Sequence, residues 1–295
     1  MVDVLRFNPE PLAFSGASAP LDEARILVGG VPLEVRVPGC RPGASLAPGR
    51  IREASLSLTP RSLVNRLELR VGEVFCDVGD AWGSRREMLG AAAGLLSRAV
   101  GGGRGAVLLG GDHTILYSVA VAAERGAPTP TVVVLDAHLD VRAMHGGEEL
   151  APGTVVARLA ERLGAGRVYV LGARSYTGVD EERAEERGVW HAGLEALDGG
   201  AEELLARVDG AEWLHISVDL DVLDPSIAPG VSAPEPPGAS LWAVLRLIHR
   251  LVSAVDSPVT LDVVEYTPLY DCGGVTAYVA ARIVYEYAAA LLARG

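Results

Sequence analysis

The sequence predicts a protein of the α/β class, in which helices cover both faces of a mostly parallel β-sheet (a three-layer α/β/α arrangement). Short apolar runs alternate along the chain with longer segments of helical spacing, as expected for parallel strands joined by helices. The strand runs are apolar almost throughout, which is typical of strands buried on both faces. Of the 295 residues, 49% are hydrophobic, which is enough for one large core. No shift in composition marks a boundary, so we predict a single domain, residues 1–295.

Apolar runs and turn residues place the elements in chain order. Seven runs predict strands, at Arg25–Gly29, Val74–Asp77, Ala106–Leu109, Thr131–Leu135, Arg167–Gly172, Trp213–Val218 and Val259–Val264. Seven segments predict helices, at Arg85–Val100, Thr114–Arg125, Pro152–Leu163, Asp180–Arg187, Ala201–Val208, Leu241–Val255 and Val275–Ala293. The segment Pro38–Gly49, rich in glycine and proline, predicts a surface loop near the active face. Gly101-Gly102-Gly103 precedes a strand, whereas a dinucleotide-binding loop follows one, so we interpret it as a linker.

Side chains that can bind a metal follow three of the predicted strands. The carboxyl ends of parallel strands meet at one edge of the sheet, where ligands bind. Alternate residues of a strand share a face, so acids and histidines spaced by two can converge on one point. The candidates are His113 after Ala106–Leu109, then Asp136, His138 and Asp140 after Thr131–Leu135, and finally Asp219 and Asp221 after Trp213–Val218.

The charges of these candidates predict a site for two metal ions. Four aspartates brought together repel one another strongly unless cations neutralise them. Two divalent cations balance four aspartates, and a mixture of histidine and aspartate suits Mn²⁺ better than a metal that prefers thiolates. The sequence therefore predicts a dinuclear metal site.

The composition indicates which cellular compartment and which classes of binding partner to expect. A net charge of −12 disfavours nonspecific nucleic-acid binding and is compatible with a small cationic substrate. The three cysteines, Cys40, Cys76 and Cys272, are widely spaced and form no C-x-x-C motif. This pattern favours reduced thiols in a cytoplasmic protein. The chain shows no signal-peptide pattern and no uninterrupted apolar run of about 18 residues, so we expect no membrane span.

Three motifs closely resemble those of the ureohydrolase family, which includes arginases, agmatinases and formimidoylglutamases. They are GGDHT at Gly110–Thr114, DAHLD at Asp136–Asp140 and SVDLDVLDPSIAPG at Ser217–Gly230, and their order and spacing also agree. The N-terminal segment around Pro48–Glu53 is similar to the family's opening segment. Leu261–Pro268 is similar to the strand that carries the family's guanidinium-binding glutamate. The likeness is greatest to agmatinase-like members.

The resemblance implies a role for each candidate residue. His113, Asp136, Asp140 and Asp219 would hold one Mn²⁺, and His138, Asp136, Asp219 and Asp221 the other, so that Asp136 and Asp219 bridge. A hydroxide held between the two cations would attack the guanidinium carbon and release urea and an amine. Asp140 would orient this nucleophile and relay its proton, and Glu265 would pair with the guanidinium. The resemblance also implies a homo-oligomer, a trimer or a hexamer.

Two positions depart from the family's arginase pattern. Arg142 stands where arginases have an asparagine that binds the amino-acid end of arginine, whereas agmatinase-like and formimidoylglutamase-like relatives also have arginine there. The chain therefore looks unlike an arginase. Pro152 stands where agmatinases and arginases have a histidine thought to shuttle protons to the leaving amine, and formimidoylglutamases also lack this histidine. His145 lies seven residues earlier and could replace this histidine if the loop folds back, but we interpret it as a solvent-exposed loop residue.

The remaining histidines have structural interpretations. His215 lies within a predicted strand and is expected to be a buried residue with satisfied hydrogen bonds. His191 and His249 are expected at the surface or on the flank of a helix.

Three hypotheses follow from the motifs. The first is a manganese-dependent agmatinase, which converts agmatine and water into putrescine and urea. The second is a hydrolase of an acidic substrate, such as formimidoylglutamate or guanidinobutyrate, whose carboxylate Arg142 would bind. The third is a non-catalytic member that keeps its metals for stability. A one-metal deacetylase is disfavoured because ligands for a second metal are present, and a serine hydrolase because no G-x-S-x-G motif follows a strand.

Overall fold

The computed structural model describes residues 7–8, 12–197, 199 and 201–294. Within these ranges the strands are β1 (Phe7–Asn8), β2 (Ile26–Val31), β3 (Phe75–Ala81), β4 (Gly105–Gly110), β5 (Thr131–Leu135), β6 (Val168–Leu171), β7 (Trp190–Ala192), β8 (Leu214–Asp219) and β9 (Val259–Val264). The α-helices are α1 (Ala47–Ser55), α2 (Val71–Val74), α3 (Arg85–Gly101), α4 (Ser118–Glu124), α5 (Val155–Leu163), α6 (Gly178–Glu186), α7 (Glu202–Val208), α8 (Leu241–Ser253) and α9 (Val275–Leu292).

The nine strands form one sheet, in the order β1-β3-β2-β4-β9-β8-β5-β6-β7. Only β1 pairs antiparallel, with β3, and every other pair of described strands is parallel. The predicted single-domain α/β fold with a mostly parallel sheet is therefore confirmed. That its bounds are residues 1–295 stays a prediction.

Helices cover both faces of the sheet, as predicted. Successive side chains of a strand point to opposite faces, and in β4 Val107 and Leu108 belong to different hydrophobic clusters. Val107 shares its cluster with residues of α1, α8 and α9, namely Ile51, Ile248 and Ile283. Leu108 shares its cluster with residues of α3, α4 and α5, namely Leu96, Val119 and Leu159.

Two strands and one well-formed helix were not predicted. β1 and β7 have only two and three residues, too few for a periodic pattern. The prediction of a loop over Pro38–Gly49 is wrong at the C-terminal end of this segment, because a 3₁₀ turn forms at Ala44–Leu46 and α1 begins at Ala47. Pro48 lies in the first turn of α1, where a missing N–H costs nothing, so the proline starts this helix and does not interrupt it.

The C-terminal helix is apolar because it lies in the core. The segment Cys272–Leu292 is long and apolar enough to span a membrane by length and composition, but 72% of its most apolar window is buried inside the protein. Its buried carboxylate, Glu286, accepts hydrogen bonds from Ser62 Oγ (2.7 Å) and Leu63 N (2.6 Å). The helix is thus tied to neighbouring segments by polar as well as apolar contacts.

A buried arginine fixes α1 against the sheet. Arg52 is fully buried, and its Nε and Nη2 donate to both carboxylate oxygens of Asp77, at 2.7 and 3.0 Å. Its Nη1 donates to Asp80 Oδ1 at 2.6 Å. The guanidinium therefore balances two carboxylates of β3.

We expect Arg52→Met to lower the free energy of unfolding by about 3–5 kcal/mol, because it leaves buried charge without a partner. Chemical denaturation of both proteins measures the difference. The matched control is Arg50→Met, which removes an exposed arginine of the same helix paired with Glu53 and should change stability by less than about 1 kcal/mol. Equal stability of the two variants would contradict the structural role of Arg52.

Candidate metal centre and active site

Four neighbouring strands in the middle of the sheet deliver the candidate residues. β4, β9, β8 and β5 lie side by side, and at their carboxyl ends stand His113, Glu265, the pair Asp219 and Asp221, and the segment Asp136–Asp140. Gly111 allows the turn after β4 to pass close to another loop, since a Cβ there would lie 1.9 Å from the carbonyl oxygen of Leu33. The glycines of the GGDHT motif are thus needed for close packing.

The first group of potential ligands surrounds His113. Its Nδ1 lies 3.1 Å from Asp136 Oδ2, 3.0 Å from Asp140 Oδ2 and 3.4 Å from Asp219 Oδ2. We call His113, Asp136 and Asp140 the His113 group, because their ligand atoms all lie within 4.8 Å of one another.

The second group surrounds His138. Its Nδ1 lies 3.0 Å from Asp221 Oδ2 and 3.5 Å from Asp136 Oδ1. We call His138, Asp136 and Asp221 the His138 group, whose ligand atoms satisfy the same 4.8 Å limit. Asp136 belongs to both groups and offers one carboxylate oxygen to each, as a bridging ligand would.

The residues present fit a pair of divalent cations. His113 Nδ1 and Asp136 Oδ2 are buried, and neither has a hydrogen-bond partner in the part of the chain that the structure describes. Buried polar atoms are normally hydrogen-bonded, and these two atoms lie close together without hydrogen-bond geometry, as they would if both faced a common cation. The donor set of imidazoles and carboxylates suits Mn²⁺ and similar metals.

The charges of the cluster favour cations. Burial and the neighbouring Asp136 raise the pKa of Asp140 to about 6, and burial with Asp221 and Asp136 raises the pKa of Asp219 well above its ordinary value. Burial disfavours charge on His138 also, but the carboxylates of Asp136 and Asp221 prevail and raise its pKa to about 12. The carboxylates therefore repel one another and stabilise any positive charge among them.

Two site residues have strained backbone conformations. Asp140 has φ of 51° and Glu265 has φ of 66°, in the left-handed region that residues other than glycine seldom adopt. Such strain is concentrated at functional sites, where the surrounding structure enforces it. Both carboxylates are therefore held in set directions.

A cavity of about 190 Å³ opens beside the cluster. Asp140, Asp219 and Asp221 line it together with Glu265, whose Oε1 accepts a hydrogen bond from His113 N at 2.6 Å. Burial and nearby Asp112 raise the pKa of Glu265 to about 8. A cationic guanidinium entering this cavity would thus meet a buried carboxyl next to the two groups of potential metal ligands.

Arg142 lines the same cavity and is exposed. Its backbone N donates to Gly153 O at 3.0 Å, which fixes its position. Among the described residues, no hydrogen bond or ion pair engages its guanidinium. Asp180, on the cavity wall, has a pKa held below its ordinary value against burial by hydrogen bonds from Thr177 and by the charge of Arg142. The cavity thus carries one cation and one anion away from the cluster.

The loop before α5 folds back over the cavity, so the interpretation of His145 as a solvent-exposed residue is wrong. His145 is half-buried and lines the cavity together with Pro152. Its Nε2 lies 3.0 Å from Pro38 O, and a Cβ on Gly153 would lie 2.6 Å from its Nδ1. Burial lowers the pKa of His145, and the charge of Arg142 acts in the same direction. The glycine at position 153 leaves room for this ring.

The other histidines are structural. His215 is fully buried with both ring nitrogens hydrogen-bonded, as expected. His249 lies on α8 with its side chain 12% exposed and its Nε2 3.0 Å from Glu286 Oε2, which agrees with the expected position on the flank of a helix. His191 lies half-buried in β7.

Several cavity residues were missed by sequence reasoning. Cys40, Tyr176 and Asp180 line the cavity. The loop that contains Cys40 was placed near the active face, but its composition gave no reason to single out the thiol. Tyr176 and Asp180 follow β6, and the only available signal was their position after a strand of the same sheet.

Comparisons with known proteins agree with this geometry. A model of the arginase family matches residues 24–290. An agmatinase of Bacillus subtilis (strain 168) is 30% identical over 93% of this chain and 96% of its own length. The mitochondrial arginase 1 of Oryza sativa subsp. japonica is 36% identical over 84% of this chain and 76% of its own. The solved agmatine ureohydrolase of Thermoplasma volcanium superposes with a TM-score of 0.84 at 28% identity, over 99% of this chain and 98% of its own.

Proposed function

We propose, since the chain belongs to the arginase family of metal-dependent guanidino hydrolases, that it is a manganese-dependent agmatinase, which converts agmatine and water into putrescine and urea. The observation that carries the proposal is the placement of two ligand groups that share Asp136 beside the buried Glu265 in one cavity. The similarity to agmatinases over most of the chain supports it.

The residues have distinct roles in this proposal. His113, Asp136, Asp140 and Asp219 would hold one cation, and His138, Asp136, Asp219 and Asp221 would hold the other. The two cations would supply a nucleophile near neutral pH by lowering the pKa of a water molecule. Glu265 binds the guanidinium with its carboxylate, which matches a planar pair of N–H donors. Asp140 would orient the attacking oxygen and accept its proton.

Protonation of the leaving amine needs a source other than position 152. The Pro152 ring has no proton to give. His145 is the histidine that lines the cavity without belonging to either ligand group. In the proposed mechanism Asp140 would pass the proton that it takes from the attacking oxygen to the leaving amine, either directly or through His145 and solvent.

The second candidate is a hydrolase of an acidic substrate, and the observation that favours it is the guanidinium of Arg142, which lines the cavity and has no partner among the residues that the structure describes. A substrate carboxylate would pair with Arg142, whereas the ammonium group of agmatine would be repelled by it. The ammonium would instead be attracted to Asp180. The charge of the substrate's far end thus distinguishes the two candidates.

The Arg142→Ala variant distinguishes the agmatinase from the hydrolase of an acidic substrate. If the substrate is acidic, we expect kcat/KM to fall about 10–100-fold, because a charge-assisted hydrogen bond contributes about 1.5–3 kcal/mol. If the substrate is agmatine, kcat/KM should stay the same or rise. Arg36→Ala is the control, because Arg36 is 85% exposed and does not line this cavity. An equal effect of both variants would mean that net charge, and not contact, is responsible.

The test of the proposed function is a comparison of four substrates with the manganese-loaded protein. Agmatine, guanidinobutyrate and arginine are assayed by urea release, and formimidoylglutamate by formamide release. Turnover of agmatine above the others supports the agmatinase proposal. Turnover of an acidic substrate alone, or of arginine alone, overturns it. No turnover of any of the four substrates, with two metals bound per chain, would favour a non-catalytic family member.

We also propose that the protein is cytoplasmic and forms a trimer or hexamer. Three free thiols, at Cys40, Cys76 and Cys272, suit a reducing compartment. Exposed apolar side chains near the start of α9, such as Leu269 and Val275, would be covered in an oligomer. Light scattering of the purified protein measures its mass.

A further inference from the structure

A buried hydrogen-bond chain connects the candidate metal centre to the interior of the sheet. The ring nitrogen of His113 that faces away from the cluster, Nε2, lies 3.1 Å from Ser217 Oγ. Ser217 Oγ in turn donates to Asp262 Oδ1 at 2.6 Å. All three side chains are fully buried, and Ser217 and Asp262 are direct neighbours on β8 and β9.

The chain continues away from the cluster. His215 Nε2 lies 2.9 Å from Asp262 Oδ2, and His215 Nδ1 lies 2.7 Å from Thr260 Oγ1. Trp213 Nε1 donates to Thr260 Oγ1 at 2.8 Å. Every residue in this hydrogen-bond chain forms its hydrogen bonds in the protein interior, and none of them contacts the cavity.

The direction of the hydrogen bonds determines where the protons are. A carboxylate only accepts, so Asp262 takes the hydroxyl proton of Ser217. The lone pairs of Ser217 Oγ then face His113 Nε2, which must carry the ring proton. In the neutral ring that binds a metal, the other nitrogen, Nδ1, then has its lone pair toward the carboxylates of Asp136 and Asp140, at 3.1 and 3.0 Å.

The His138 group has no equivalent arrangement. Among the described residues, no hydrogen bond engages His138 Nε2, and its side chain is 25% exposed. The buried hydrogen-bond chain therefore acts on only one of the two ligand groups.

We infer that Ser217 and Asp262 are positioning residues that hold His113 in the tautomer that binds metal, and thereby set the metal affinity of the His113 group. Partners that orient a metal-binding histidine through its second nitrogen typically account for about 10–100-fold in metal affinity. Neither residue touches the cavity or the proposed substrate, so the inference stands apart from the identity of the substrate.

Ser217→Ala tests the inference by metal binding alone. The variant removes the hydroxyl and leaves the Nε2 proton of His113 without an acceptor. We expect the Kd of one of the two bound Mn²⁺ ions to rise about 10–100-fold and that of the other to stay unchanged. Calorimetric titration of the metal-free full-length protein with MnCl₂ measures both values, and electron paramagnetic resonance reports loss of the coupled pair.

Thr260→Val is the matched control. It breaks the far end of the same hydrogen-bond chain, at an equally buried position, with little change in side-chain volume and no contact with a ligand. We expect this variant to have a lower Tm and unchanged affinity for both Mn²⁺ ions. Asp262→Asn provides a second test variant, which removes the charge that orients Ser217 and should weaken the same Mn²⁺ ion.

Two results would overturn the inference. One is wild-type affinity for both Mn²⁺ ions in Ser217→Ala or, should that protein fail to fold, in Asp262→Asn. The other is an equal loss of affinity in Thr260→Val, which would show that metal binding follows the stability of the core and not the tautomer of His113.

Discussion

Asp136→Asn will release both metal ions and reduce the rate of hydrolysis by about 10⁴-fold or more, the scale seen when a group central to catalysis is removed. Asp136 offers Oδ2 to the His113 group and Oδ1 to the His138 group. An amide has one neutral oxygen where the carboxylate has two charged ones, so it cannot serve both groups. Elemental analysis of the dialysed protein and the rate of urea release measure the two effects.

Two further aspartates complete this experiment. Asp221 belongs only to the His138 group, so Asp221→Asn should release one metal and keep the other. Asp224 lies three residues further along and hydrogen-bonds Ser226 and Gly238, so Asp224→Asn should keep both. Unchanged metal content in Asp136→Asn would disprove its bridging role.

Glu265→Gln will lower kcat/KM by about 10²–10⁴-fold while both metals stay bound. Two hydrogen bonds from a guanidinium to a carboxylate contribute about 1.5–3 kcal/mol each, which corresponds to this range of rates. The amide oxygen can still accept the hydrogen bond from His113 N, so the backbone should keep its place. The Gln side chain has nearly the same shape as Glu but carries no charge.

Steady-state kinetics and metal analysis of Glu265→Gln are measured together. A lower kcat/KM with two metals per chain supports guanidinium binding by Glu265. Wild-type kinetics would exclude that role, and loss of a metal would instead make Glu265 a support of the cluster. Glu34→Gln is a control, because Glu34 hydrogen-bonds Ser45 and does not line the cavity.

The sequence predicted those parts of the site that depend on the ends of strands. His113, Asp136, Asp219 and Glu265 each follow a run of apolar residues that is long enough to identify as a buried strand, and parallel strands end at one edge of the sheet. A parallel sheet is therefore sufficient to bring these four residues together. The structure brings them together beside one cavity, which Asp219 and Glu265 line.

Other features depend on tertiary contacts that have no sequence signal. The fold of the loop that brings His145 onto Gly153 depends on Pro38, more than a hundred residues away. The pairing of Ser217 with Asp262 depends on the register of β8 and β9. The left-handed conformation of Glu265 depends on its surroundings, because the residue type does not favour it.

Titration of the metal-free protein with Mn²⁺, with urea release from agmatine followed at each step, tests the central claim most directly. The protein concentration is kept well above the Kd of both sites, so that added metal is bound. We predict that the rate rises until two Mn²⁺ ions are bound per chain and that it is below half of its final value at one. A plateau at one ion per chain, or a rate that does not depend on Mn²⁺, would contradict the dinuclear mechanism.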